Sequence, residues 1–200
     1  MAARAKGFLW HGVFWGCSMP AVILLMNIFT GNLGADPAKT LSLETGIWAL
    51  NFLLLCLCMS PFSKYLRMPR LVSYRRQLGL WCYFYVCLHV LVFVSLLIEF
   101  NIANLGKELA ERPYILVGFM GWVGLSIMAV TSLPRLIRWM GAKNWRRLHK
   151  IVFAVVVFAC VHYLWLSRSD IFSALLYSLL FLGLIGMRLY YFYGGRRLVS

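Results

Sequence analysis

Hydrophobic residues along this chain come in long uninterrupted blocks, and polar residues are confined to the short stretches between them. Six blocks stand out, at about 8–29, 46–62, 78–98, 113–133, 148–166 and 171–193. Each approaches or exceeds the ~18–20 residues a helix needs to cross a hydrocarbon core ~30 Å thick. The second is the weakest, being short and carrying Asn51. The connecting stretches are too short to fold as a separate domain. Helices satisfy their own backbone hydrogen bonds in lipid, so the pattern predicts an all-α integral membrane protein, a bundle of six transmembrane helices forming a single domain over residues 1–200. The first block follows Arg4 and Lys6, as a signal peptide's core would, but its apolar run exceeds the ~7–15 residues of such a core. It contains Pro20 and continues into Gly31, Asn32, Leu33 and Gly34 with no clean cleavage site. The expectation is a retained helix.

Composition strengthens this reading. The chain is 62% hydrophobic and 13% charged, against roughly 45–50% and about 25% in soluble domains. Six helices place both termini and the 63–77 and 134–147 stretches on one side. That side holds Lys64, Arg67, Arg70, Arg75, Arg76, Arg135, Arg138, Lys143, Arg146 and Arg147, together with Arg4, Lys6, Lys150, Arg188, Arg196 and Arg197. The other side holds Lys39, Lys107, Arg112 and Arg168, and all six acids: Asp36, Glu44, Glu99, Glu108, Glu111 and Asp170. Basic residues stay cytoplasmic, so the expected topology is N-in, C-in. The net charge of +14 is therefore a mark of topology rather than of a nucleic-acid surface, because the cations hug membrane edges while the aromatics lie within spans.

All six cysteines (Cys17, Cys56, Cys58, Cys82, Cys87 and Cys160) fall inside expected spans, where they read as small hydrophobes, and no C-x-x-C-H haem-attachment motif occurs. The histidines carry more. Ionisable residues within spans are expensive and point to function. His89 lies about 11 residues, roughly 16 Å, along the third helix, and His162 about 14 residues, ~21 Å, along the fifth. The two helices run in the same direction, so the imidazoles sit at similar depth, toward the outer leaflet. A flat apolar macrocycle between them, iron protoporphyrin, would take both as axial ligands. With both axial positions filled, the chemistry is electron transfer. The alternative is that each imidazole only hydrogen-bonds a neighbouring helix.

His149 lies 13 residues before His162, ~20 Å nearer the cytoplasm, and about 140° short of the same helical face. No histidine matches it on the third helix. That level holds Arg75 and Arg76, and Arg75 faces within ~40° of His89. His149 and Arg75 are candidates to bracket an inner cofactor, the arginine meeting a haem propionate or a flavin phosphate. Both also lie at a cytoplasmic edge, where basic residues are expected in any case. His11, without a depth-matched partner, reads as a packing or interface residue. Gly118, Gly121 and Gly124 suit close approach of a helix or a flat ring, with helix packing the commoner use. Trp81, Trp145, Trp165 and the run from Tyr190 to Tyr193 fit interfacial anchoring. No catalytic residue set appears: nothing resembles a hydrolase or a soluble dehydrogenase.

The order of these pieces resembles the ferric-reductase-like transmembrane group. Within it the chain is similar to the MsrQ family, the haem-binding membrane subunits of bacterial periplasmic methionine-sulfoxide reductase systems. The resemblance rests on Gly34-Ala35-Asp36-Pro37; on Arg75-Arg76 followed by Leu78-Gly79-Leu80-Trp81 and Leu88-His89; and on Gly106-Lys107-Glu108-Leu109 with Arg112-Pro113-Tyr114. Thr131-Ser132, Trp145 with Leu148-His149, and His162-Tyr163-Leu164-Trp165 complete it. It implies a multi-pass inner-membrane protein carrying b-type haem and associated with FMN. Electrons would come from the quinone pool or a cytosolic flavin reductase and pass to a periplasmic molybdopterin-containing subunit that reduces methionine sulfoxide. By position, His89, His149 and His162 match the family's histidines and Arg75 one of its basic residues. The chain ends soon after the last helix, so a diffusible donor or a separate protein is expected to supply the electrons. The short outer stretches 30–45, 99–112 and 167–170 are the expected docking face. Two other readings stay open: a related ferric or quinone reductase, and a cofactor-free scaffold or small transporter.

Overall fold

A computed structural model of the chain describes residues 2–167 and 170–197, with side chains over 9–101, 105–167 and 170–190. Arg168 and Ser169, and the side chains of Arg4, Lys6, Tyr193, Arg196 and Arg197, lie outside the described residues. The fold is 90% helical, without strands among the described residues. Its main elements are α1 (Ala2–Thr30), α2 (Pro37–Tyr65), α3 (Arg75–Val92), α4 (Ile102–Glu111), α5 (Pro113–Thr131), α6 (Pro134–Leu148), α7 (Val152–Leu166) and α8 (Ile171–Arg197). A 3-10 helix, Pro69–Tyr74, leads into α3, and a π-helical turn, Phe93–Leu97, ends it. Another 3-10 turn, His149–Ile151, joins α6 to α7. Among the described residues, six stretches are long and apolar enough to cross a membrane: Leu9–Thr30, Pro37–Tyr65, Pro69–Leu97, Pro113–Thr131, Pro134–Leu166 and Ile171–Tyr190.

The second span starts nine residues before its expected limit of 46, and the reason is local. Asp36 accepts a hydrogen bond from the Lys39 N–H at 3.0 Å, and Pro37 fills the first helical position, a cap and first-turn pairing that starts α2. Proline also stands in the first turn of α5 and α6, there without a side-chain cap. Most of the stretch expected as the outer connection 30–45 is therefore helix. The stretches expected as connections at 99–112 and 134–147 likewise contain α4 and α6. Within α6, Gly141 has φ 74° and ψ 151° and kinks the helix, a backbone that glycine adopts without penalty.

The chain divides into two compact units. The first comprises Met1–Cys56 and Ser73–Ile102, and the second Leu57–Val72 and Ala103–Ser200. In the first unit the central side chain is Tyr85, fully buried on α3. Its hydroxyl donates to the Cys17 carbonyl and accepts from the Ala21 N–H, each at 2.9 Å. Phe52 of α2 stacks on its ring, with centroids 5.2 Å apart. Gln77, also buried, donates to the Trp10 carbonyl at 3.1 Å.

In the second unit α5 and α7 pack closely because two glycines remove side chains from the seam. A Cβ on Gly121 would meet Phe158 Cβ at 3.7 Å, and one on Gly124 would lie 2.6 Å from Val155 Cγ2. Arg188 of α8 holds its guanidinium over the Phe153 ring at 5.0 Å and donates to the Leu57 carbonyl at 3.4 Å. Much of the apolar surface in both units faces outward, including Trp15, Phe29, Phe119, Leu179 and Leu182. Apolar exposure on this scale suits lipid as the surrounding solvent.

Candidate functional site

The two intramembrane histidines are held in the same way. In the first unit, His89 of α3 places Nδ1 2.8 Å from the carbonyl oxygen of Ser42 on α2. In the second, His162 of α7 places Nδ1 2.6 Å from the carbonyl oxygen of Tyr114 on α5. A carbonyl oxygen can only accept, so each Nδ1 is the protonated nitrogen that donates, and each Nε2 carries the lone pair. This is how a metal-ligating histidine is usually oriented: one nitrogen donates to a fixed acceptor, which turns the ring and raises the basicity of the other. The Tyr114 ring also lies beside His162, with centroids 5.8 Å apart.

His149 is held differently. It occupies the first position of the 3-10 turn after α6, and its Nε2 lies 3.3 Å from the Thr131 hydroxyl oxygen. That hydroxyl also lies 2.7 Å from the Ile127 carbonyl and 3.2 Å from the Met128 carbonyl, both of which can accept from it. The indole of Trp145 lies against the imidazole, centroids 4.1 Å apart, and its N–H donates to the Thr131 carbonyl at 3.0 Å. His149 thus belongs to a local cluster closing the end of α5.

Arg75 is the first residue of α3. Its carbonyl accepts from the Cys56 thiol at 3.2 Å, while its side-chain Nε is buried and makes no hydrogen bond. A buried guanidinium nitrogen without an acceptor suits an anionic group that completes it. His11 is exposed on α1, edge-on to Trp10. Among the described residues no three His, Cys, Asp or Glu side chains gather as a metal cage. Each imidazole, with Nδ1 committed to a carbonyl and its lone pair on Nε2, has the chemistry of a haem-iron ligand.

Three neighbours of these histidines are not evident from the sequence pattern. Ser42 and Gly46 lie beneath His89 on α2, and Tyr114 lies opposite His162. Ser42 fell in a stretch expected to be a loop. The Asp36-Pro37 helix start is the signal by which it could have been found.

Comparison with known proteins places these residues in a family. Residues 45–160 match the ferric reductase like transmembrane component. The range takes in His89 and His149 and stops two residues before His162. The chain is 35% identical over 196 residues to the protein-methionine-sulfoxide reductase heme-binding subunit MsrQ of Polaromonas naphthalenivorans, covering 95% of this chain and 90% of that one. It is 36% identical over 199 residues to the MsrQ of Caulobacter vibrioides, covering 99% and 93%. The chain belongs to the MsrQ family of ferric-reductase-like transmembrane proteins. It is a multi-pass protein of the bacterial inner membrane with a role in membrane electron transfer.

Proposed function

We propose that this chain is a haem b conduit carrying electrons outward across the membrane, its whole length acting as one transmembrane domain. The observation that carries the reading is the shared tether of His89 and His162. Both imidazoles donate from Nδ1 to a helix carbonyl, which leaves Nε2 as the lone-pair nitrogen, the one that would ligate iron. Their matched depth in the sequence supports both as the residues that would hold one outer haem. When bound, that haem supplies a one-electron couple, and bis-imidazole ligation reserves its iron for electron transfer.

On the inner side, His149 and Arg75 serve a second centre, either haem or FMN. The buried, unsatisfied Nε of Arg75 supports an anionic group there. The N-in, C-in orientation follows from the excess of Lys and Arg on the 63–77 and 134–147 side. Donors at that side are the quinone pool or a cytosolic flavin reductase. The acceptor is a periplasmic molybdopterin-containing methionine-sulfoxide reductase subunit, so that the pair repairs oxidised periplasmic proteins.

The test is the reduced-minus-oxidised visible spectrum of the detergent-purified protein beside His89→Ala, His162→Ala and His149→Ala. A low-spin b-type spectrum lost with His89 or His162 supports the outer haem. The His149 variant reports on the second centre. A colourless wild type from haem-replete cells would favour the cofactor-free scaffold. A haem-loaded protein that reduces ferric chelates or quinones but not the periplasmic subunit would favour the related reductase.

A further inference from the structure

The two histidine tethers share a second feature: each sits against a glycine four residues after the accepting carbonyl. Ser42 is followed by Gly46 on α2, and Tyr114 by Gly118 on α5. A Cβ built on Gly118 would lie 2.7 Å from His162 Nδ1, 2.8 Å from Cε1 and 3.2 Å from Cγ. One built on Gly46 would lie 3.2 Å from both Nδ1 and Cε1 of His89. In a helix the carbonyl of residue i points along the axis toward residue i+4. An imidazole reaching that carbonyl from the side must therefore pass over position i+4. Any side chain there would stand where the ring lies.

Conformational need does not explain these glycines. Gly46 and Gly118 lie inside regular helix, and the glycines at positive φ are Gly31, Gly34 and Gly141. A glycine inside a helix is about 0.8–1 kcal/mol less favourable than alanine. What both positions provide is space against the Nδ1 edge of a ring. The other two glycines of α5 contrast with this, since Gly121 and Gly124 face Phe158 and Val155. The run of three glycines in α5 thus divides into one imidazole cradle and two helix-packing positions.

The geometry points to Gly46 and Gly118 as positioning residues for the axial histidines, admitting each imidazole to its carbonyl and thereby fixing its tautomer and ring plane. The inference rests on the haem reading above and goes beyond it by naming what sets the electronic character of the ligands. Donation from Nδ1–H to a carbonyl strengthens Nε2 as an electron donor to iron, which favours the ferric state and lowers the midpoint potential. The dihedral angle between the two ring planes sets the g-anisotropy of a low-spin ferric centre. The contact at Gly118 leaves no room for a methyl group, while that at Gly46 is tight.

The experiment is potentiometry and low-temperature EPR on full-length, detergent-purified wild type, Gly118→Ala, Gly46→Ala and Gly124→Ala. Gly118→Ala is expected to shift the g-values and raise the midpoint potential, and Gly46→Ala to do the same to a smaller extent. Gly124→Ala strains the α5–α7 seam without touching an imidazole, so it should lower thermal stability and leave g-values and potential as in wild type. Wild-type g-values and potential in Gly118→Ala would overturn the proposal, as would the same shift in Gly124→Ala. If Gly118→Ala purifies without haem while Gly124→Ala stays loaded, the cradle is upheld. Equal loss in both would make Gly118 a packing residue and overturn it. A wild type lacking low-spin haem would fail the haem reading itself, an outcome separate from any difference among loaded variants.

Discussion

The Tyr85 hydroxyl donates to the carbonyl of Cys17 at 2.9 Å while accepting from the N–H of Ala21 at the same distance. Cys17 and Ala21 are an i, i+4 pair, and Pro20 stands between them in α1. Proline inside a helix removes a donor and crowds the preceding turn, and in lipid no water repairs the loss. A side chain from α3 mends the weakened turn of α1 and pins the two helices together.

Tyr85→Phe removes the oxygen and keeps the ring, including its stacking on Phe52. Leaving the Cys17 carbonyl and the Ala21 N–H without their partner costs up to about 1–3 kcal/mol for each. The expected result is a lower unfolding midpoint in mixed micelles. An unchanged midpoint would show that Cys17 and Ala21 close their own helical bond once the hydroxyl is gone.

Sidedness is measurable with single cysteines on the two expected faces. Arg138 on α6 is exposed, and the Lys107 side chain on α4 is 70% exposed in a weak pair with Glu111 at 3.9 Å. With a membrane-impermeant maleimide, Lys107→Cys should label in intact spheroplasts, and Arg138→Cys only in inverted vesicles. The reverse pattern would place both termini outside and send the electron path the other way.

The His149 cluster separates from the other histidines by mutation. Thr131→Val keeps the shape and removes the oxygen facing Nε2, a loss of about 0.5–1.5 kcal/mol for a typical hydrogen bond. If His149 serves an inner centre, the spectral component that disappears in His149→Ala should shift in Thr131→Val. The component lost with His89 or His162 should stay in place. Equal movement of both components would mean that Thr131 acts on the whole bundle.

How much of this was legible in the chain depends on what kind of signal each feature leaves. The spans announce themselves through apolar runs, and the intramembrane histidines through their rarity. The start of α2 was missed because Thr40, Ser42, Glu44 and Thr45 dilute hydropathy, although Asp36-Pro37 marks the start by capping chemistry. Helix α6 was hidden by its charge, carrying Arg135, Arg138, Lys143, Arg146 and Arg147 in fifteen residues. Span-finding rejects such a segment, whatever its helical propensity. The carbonyl partners of His89 and His162 leave no side-chain trace at all. Only the glycines beside them do, and those resemble any other small residue of a membrane helix.

Arg75 yields a prediction in which two signs oppose each other. A buried donor without an acceptor is a standing penalty of about 1–3 kcal/mol, and the Arg75 Nε is such a donor. If an anionic cofactor group completes it, removing the guanidinium relieves the apo-protein and harms the loaded one. Arg75→Met should therefore raise the unfolding midpoint of cofactor-depleted protein and weaken retention of haem or FMN. Arg75→Lys keeps the charge but has no Nε–H and no planar fork, so it should retain cofactor nearly as poorly as the methionine variant. Unfolding curves with and without added FMN, beside haem content per chain, read both effects. A methionine variant that is less stable when depleted and binds normally would make Arg75 a structural residue of the α3 start.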